Sequence, residues 1–331
     1  MFDSLHNVIG NWGIWAPFLY LCLFLDASAL MIWRQEVMTH KGMEGTALGT
    51  LIMPYCSGLG NILFVVVMIQ HQGAGDKVVE NCLVNNVTNM TLLIGLPSIL
   101  WGMAVIPVGK VPKKEVKENQ LNRLSLLTTL AAVFFFTGAV WVLSRDGWLS
   151  KGDGMALVGL FIFWQALQVF DVMKSNIQKS QTLPISIWLD LLLIAVGGLV
   201  SYFSIEGLVG WLMNSERQFL NAANLGWLTG WLMVVPNALM AFYYGWRKRS
   251  DIVYSSQVGD GHICIPLCIG LFALFQAIPD SMFMESGLLL VVAATGVHFA
   301  FVASIGRLPR FAGAFLTLAY IYFVYAGMIS G

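Results

Sequence analysis

The chain has 331 residues and carries 18 Lys+Arg against 18 Asp+Glu, a formal net charge of zero. Only 11% of residues are charged, about half the share usual in a soluble domain, while 57% are hydrophobic and the mean hydropathy is +0.73. Too little charge is available to coat a water-soluble globule of this size. The composition therefore excludes a soluble enzyme, a nucleic-acid binder with a basic face and a disordered tail protein, and describes a polytopic membrane protein.

The N-terminus, MFDSLHNVIGNWG, has no Lys or Arg ahead of the first apolar run, so it lacks the basic start of a signal peptide and reads as leading into a retained membrane helix. A bilayer core needs about 20 mostly apolar residues per helix. Ten such stretches follow in order: 12–33, 44–70, 77–107, 124–143, 154–172, 186–213, 220–247, 252–279, 284–304 and 310–329. No stretch shows the alternation of a barrel strand, so the predicted fold is an all-α bundle of ten transmembrane helices. The five cysteines, Cys22, Cys56, Cys82, Cys264 and Cys268, lie in apolar segments with no disulfide framework or zinc spacing.

Basic residues set the orientation. Loops after odd-numbered spans hold 14 of the Lys and Arg residues, and loops after even-numbered spans hold 4. The positive-inside rule places the odd loops in the cytoplasm and both termini outside. The longest polar loop, 109–123, lies on the cytoplasmic side and reads as an ordinary positive-inside anchor, with contact to anionic lipid or a partner as the alternative. The expected organisation is 1–123 (spans one to three and the basic loop), 124–185 (spans four and five), 186–279 (spans six to eight) and 280–331 (spans nine and ten). The expected location is the plasma (inner) membrane.

Spans two and three resemble spans seven and eight. GTLIMPYCSGLGNILF and VENCLVNNVTNMTLLIG stand against GWLMVVPNALMAFYYG and VYSSQVGDGHICIPLCIG, with Pro54 matching Pro236 and Gly95 matching Gly270. Five spans separate the copies, so the second half is expected upside down relative to the first: two inverted repeats of five helices, a layout common among secondary transporters. Each mid-helix proline leaves the carbonyl four residues earlier without its helical donor, here those of Thr50 and Leu232. Such carbonyls must face protein, water or an ion.

The third span carries Glu80, Asn81, Asn85, Asn86, Thr88 and Asn89, with Asn81, Asn85 and Asn89 four apart on one face. The eighth carries Ser255, Ser256, Gln257, Asp260 and His262, with Ser256 and Asp260 four apart. Ionisable and amide groups at this depth mark a binding site, against the plainer reading of polar glue between helices. His262 could relay a proton. His298 reads as a packed, bonded histidine rather than a ligand.

These features resemble the sodium/calcium exchanger family of the cation/calcium antiporter superfamily, in topology over the whole chain and in motif over about 45–95 and 228–270. The resemblance implies two alpha repeats, each with a G-T-S-x-P-E motif on one helix and an Asn/Ser-rich motif on the next. Asn81, Asn85, Asn86 and Asn89 fall on the polar positions of the first repeat. Asp260 falls on a binding serine of the second, and Cys264 where the family often has a binding aspartate. The residues after the two prolines are Tyr55 and Asn237, where the exchangers have the glutamates that bind calcium, so this chain reads as a divergent member lacking both alpha-repeat glutamates. Calcium takes six to eight oxygens including several carboxylates.

The resulting expectation is a secondary active transporter, not an enzyme, driven by sodium or protons through alternating access, with a non-calcium or altered substrate. Its site would comprise Tyr55, Asn81, Asn85, Asn86, Asn89, Asn237, Asp260 and His262, the carbonyls of Thr50 and Leu232, and secondarily Glu80, Ser256 and Cys264; the identity of any bound metal is open. No cofactor is expected beyond bound Na+ or another cation. The expected partners are membrane lipid, a monovalent cation or small polar solute, and a membrane-complex subunit, with no nucleic acid. Two alternatives stand beside it: an exchanger-like scaffold serving as a non-transporting membrane subunit or sensor, and sodium/calcium antiport retained with an atypical site.

Overall fold

A computed structural model describes residues 2–41, 47–106, 113–176 and 185–330. The described chain is almost entirely helical. A short helix, α1 (Phe2–Gly10), precedes α2 (Trp15–His40) and α3 (Ala47–Gln70). The next crossing is built from α4 (Gly75–Val87), a π-helical turn (Thr88–Leu92) and α5 (Leu93–Trp101). Then come β1 (Met103–Ala104), α6 (Lys113–Leu143), β2 (Trp148–Leu149), α7 (Lys151–Asn176), α8 (Ile187–Met213) and α9 (Leu225–Trp246). A second broken crossing joins α10 (Ser250–Gly259), a second π turn (Ile263–Ile269) and α11 (Gly270–Ala273). The chain closes with β3 (Ile278–Pro279), α12 (Met282–Ile305), β4 (Arg307–Leu308) and α13 (Arg310–Ser330).

Among the described residues, eight helices are long and apolar enough to cross a membrane: Trp15–His40, Gly75–Trp101, Gln120–Asp146, Lys151–Met173, Ile187–Met213, Ala222–Trp246, Met282–Ile305 and Arg310–Met328. Gly58–Gln70 is a shorter apolar helix. The predicted eighth span falls on α10, the second π turn and α11, which are not among these eight helices because polar residues and the π turn interrupt the apolar run. Both π-containing crossings end earlier than their apolar sequence: α5 at Trp101, where Gly102 adopts φ +78°, and α11 at Ala273. The apolar residues beyond them run through a turn into the short strands β1 and β3. The predicted loop 109–123 is also shortened. From Lys113 onward it is helical, because KKEVKENQLNR is rich in straight-chain helix formers.

The Gly75–Trp101 crossing sits at the centre. Of its apolar stretch 78% is buried, against 17% for that of α7, which faces outward. It packs most closely on α9, where two glycines one turn apart open the contact. A Cβ on Gly226 would lie 2.6 Å from Glu80 Oε2 and 2.7 Å from the Lys77 carbonyl, and one on Gly230 would lie 2.8 Å from Val84 Cβ. Small residues at four-residue spacing let two membrane helices approach this closely.

Two distant strand pairs brace the bundle. β1, just after α5, pairs antiparallel with β4, between α12 and α13; β3, just after α11, pairs antiparallel with β2, between α6 and α7. Glycine contacts follow the same scheme. Gly95 on α5 lies against the Gly313 carbonyl of α13, and Gly270 on α11 lies against Gly154 and Leu157 of α7.

Helices α2 and α8 form a pair along one side. Buried Asp190, in the first turn of α8, meets Arg34 at 3.4 Å and Lys41 at 2.5 Å, so its basic partners come from the neighbouring helix. At the opposite end, His6 of α1 lies 3.4 Å from Glu206 and 2.8 Å from the Tyr20 hydroxyl.

Candidate functional site

A seam of buried amides runs between the two broken crossings. Asn85 and Asn89 stand one turn apart, and the Asn89 amide donates to Asn85 Oδ1 at 2.9 Å. Cys264 Sγ donates to the same oxygen at 3.7 Å, bringing the second π turn against the first crossing. The Asn85 amide donates to Asn61 Oδ1 of α3 at 3.5 Å. Asn61, Asn85, Asn89 and Cys264 are all buried.

Asp260 lies four residues before Cys264, at the junction of α10 and the second π turn. It is 1% exposed and accepts a hydrogen bond from the Asn237 side chain of α9, itself 1% exposed. Gln257 donates to the Asn237 backbone carbonyl at 3.3 Å and to Ser256 Oγ at 2.8 Å. Pro236, beside Asn237, lacks the N–H that would otherwise bond the Leu232 carbonyl. A small cavity lined by Phe24, Ser28, Met31, Gly60, Met233 and Pro236 adjoins this break.

The remaining predicted residues are placed around this seam. Asn81 donates to Thr229 Oγ1 of α9 at 3.0 Å. Tyr55 sits on α3, its hydroxyl 3.4 Å from the Gln165 amide of α7 and its ring edge-on to Phe161. His262 packs edge-on against Trp164 and Phe136, on the side of α6 and α7. Glu80 pairs with Lys77 at 2.8 Å, near the start of α4. Thr50 and Pro54 lie on α3, in a stretch whose side chains are outside those described. Sequence reasoning missed Asn61, Thr229 and Gln165. For Asn61 a signal existed: it follows Pro54 by seven residues, two helical turns.

Several buried polar atoms in this region have no hydrogen-bond partner: both amide atoms of Asn86, Asn89 Oδ1, Asn81 Oδ1, Asn61 Nδ2, Gln257 Oε1 and His262 Nδ1. Folded proteins leave few such atoms, because each costs about 1–3 kcal/mol. Apart from that of Asn61 on α3, they lie along two crossings whose regular helix is broken by π turns, a feature that recurs at functional sites. The first π turn carries Asn89, the second begins three residues after the buried Asp260 carboxylate, and Cys264 of the second bonds Asn85 Oδ1 beside the first. Among the described residues, no group of three or more His, Cys, Asp or Glu side chains is placed to hold a metal ion.

Comparison with known proteins finds similar chains and a shared fold. The family model described as sodium/calcium exchanger protein matches residues 12–170. No curated protein matches the chain in sequence. Solved structures of the sodium-calcium exchanger NCX_Mj match over nearly the full length. The form soaked with 10 mM Na+ and 10 mM Sr2+ is 18% identical, with 93% of this chain and 97% of that chain covered and a TM-score of 0.63. The form soaked with 2.5 mM Na+ and 10 mM Sr2+ is 19% identical, with 93% and 96% covered and a TM-score of 0.64. The form soaked with zero Na+ and Ca2+ is 17% identical, with 94% and 98% covered and a TM-score of 0.63. The chain is thus similar to the sodium/calcium exchanger family over residues 12–170, and it shares the membrane fold of NCX_Mj over nearly its whole length.

Proposed function

We propose that the protein is a secondary active transporter in which a monovalent cation, sodium or a proton, drives alternating access through the seam between the two broken crossings. The observation that carries this reading is the buried Asp260 carboxylate, held by Asn237 in a bundle whose broken crossings also carry amide oxygens with no hydrogen-bond partner. A carboxylate in the interior of a membrane bundle is costly and marks an ion pathway. One carboxylate balances one positive charge. With neutral amide oxygens completing the shell, the site matches a monovalent ion better than calcium, which takes several carboxylates.

The inverted repeat belongs to the same reading. The pairs β1–β4 and β3–β2, and the contacts Gly95–Gly313 and Gly270–Gly154, exchange with one another when the third crossing is swapped for the eighth and the tenth for the fifth. This supports two halves of five spans with a pseudo-twofold axis in the membrane plane and the seam lying near it. NCX_Mj, whose fold the chain shares, is a sodium-calcium exchanger.

The test is a flux assay in proteoliposomes under sodium, proton and calcium gradients, with Asp260→Asn as the comparison. Sodium- or proton-driven flux that disappears in the variant supports the proposal. Absence of flux under every gradient, together with a stable membrane partner in pull-down, favours the scaffold reading instead.

A further inference from the structure

His298 lies on α12, outside the repeat motifs and outside the seam, yet it is fully buried and contacts both broken crossings. Its Nε2 is 2.7 Å from the backbone carbonyl of Met90, in the middle of the first π turn. A carbonyl only accepts, so Nε2 carries the hydrogen. Its Nδ1 is 3.3 Å from the Tyr254 hydroxyl of α10, which donates to it, and the two rings stand at 87° with centroids 5.5 Å apart. The two bonds fix one tautomer and one ring orientation.

The placement matters because Met90 adjoins Asn89. A π turn displaces its carbonyls from the regular helical ladder, and a side chain bonded into that ladder stabilises the distortion. Tyr254, at the other end of the histidine, stands on the helix that leads directly into Asp260.

We propose that His298 is a positioning residue, holding the first π turn, and with it the Asn85–Asn89 pair, in fixed register with the Asp260-bearing crossing. The inference rests on the cation-site reading above. Three full-length variants test it. His298→Leu removes the donor, His298→Gln can return an N–H to the Met90 carbonyl, and Tyr254→Phe removes only the far bond. Two quantities are read: hydrogen–deuterium exchange of the segment 88–95 in detergent, and the Na+ concentration that half-saturates transport in proteoliposomes.

The result expected is faster exchange of 88–95 in His298→Leu, and a half-saturating Na+ concentration raised about tenfold with the maximal rate retained, the size of one lost buried hydrogen bond. His298→Gln brings both values to within about threefold of the parent. Tyr254→Phe, which keeps the fold even if His298→Leu does not, shifts Na+ affinity in the same direction by a smaller factor. Unchanged exchange in these variants overturns the clamp. Faster exchange with unchanged Na+ affinity overturns its role at the site. A parent protein with no Na+ response overturns the sodium reading of the site, while the exchange measurement still decides whether His298 holds the π turn.

Discussion

Asn85 and Asn86 are neighbours with opposite circumstances. Asn85 accepts from Asn89 and Cys264 and donates to Asn61, so three side chains from three crossings depend on it. Asn86 is as deeply buried, and neither of its amide atoms has a partner. Asn85→Ala should therefore lower stability by about 1–3 kcal/mol, because it strands its partners. Asn86→Leu should leave the thermal unfolding temperature unchanged or raised, because it removes an unsatisfied amide, and should still weaken cation binding. Unfolding in detergent followed in parallel with transport separates the two. A strongly destabilised Asn86→Leu with unaltered transport would show that this amide serves the fold. The four-residue spacing of Asn85 and Asn89 was readable in the sequence because both lie on one helix. The bonds from Asn61 and Cys264 were not, since they depend on how three separate crossings meet.

Helix contacts in the central crossing are set by small residues and by breaks. On α9, Gly226 and Gly230 admit the backbone of α4, and a Cβ at Gly230 would stand 3.0 Å from the Asn81 carbonyl and 2.8 Å from Val84 Cβ. Gly230→Ala should separate α4 from α9 and destabilise by about 1–3 kcal/mol, the usual consequence of overpacking. Gly159 on α7, with nothing within 4 Å of an added Cβ, is the control: Gly159→Ala should be neutral or slightly stabilising by unfolding in detergent. Equal effects at the two positions would contradict the close-packing account. Prolines at matching positions in spans two and seven pointed to breaks at mid-membrane, and α9 carries Pro236 in its interior. The first π turn, TNMTL, had no such marker, whereas the second, ICIPLCI, carries Pro266, a break signal the sequence reading did not use. The ends of the two long spans were misjudged for a related reason: apolar sequence continues past α5 and α11 into strands that pair with distant partners.

At the scale of the whole molecule, the zero net charge resolves into two separated populations. Basic residues concentrate in the loops after odd-numbered spans, and several acids lie inside the bundle. Asp190 and Glu206, which the sequence left without basic neighbours on their own helix, are met by Arg34 and Lys41 and by His6 from other helices, at opposite ends of the α2–α8 pair. Asp260 is different in setting, held by an amide at the junction of a broken helix. The charge asymmetry also predicts that an epitope appended after the last residue binds antibody on intact cells, without permeabilisation; binding only after permeabilisation would reverse the orientation and the basic-loop argument with it. The membrane class was written in hydropathy, because a bilayer imposes it on every span. The identity of the ion depends on how many carboxylates converge, and that becomes visible only in three dimensions. The central claim is that one carboxylate at mid-membrane meets one positive charge, and charge entering the membrane is itself measurable. Sodium and proton concentration jumps on protein-loaded solid-supported membranes should give transient currents that Asp260→Asn abolishes, while calcium jumps give none. Currents evoked by calcium alone, or sodium and proton currents undiminished in Asp260→Asn, would contradict the account.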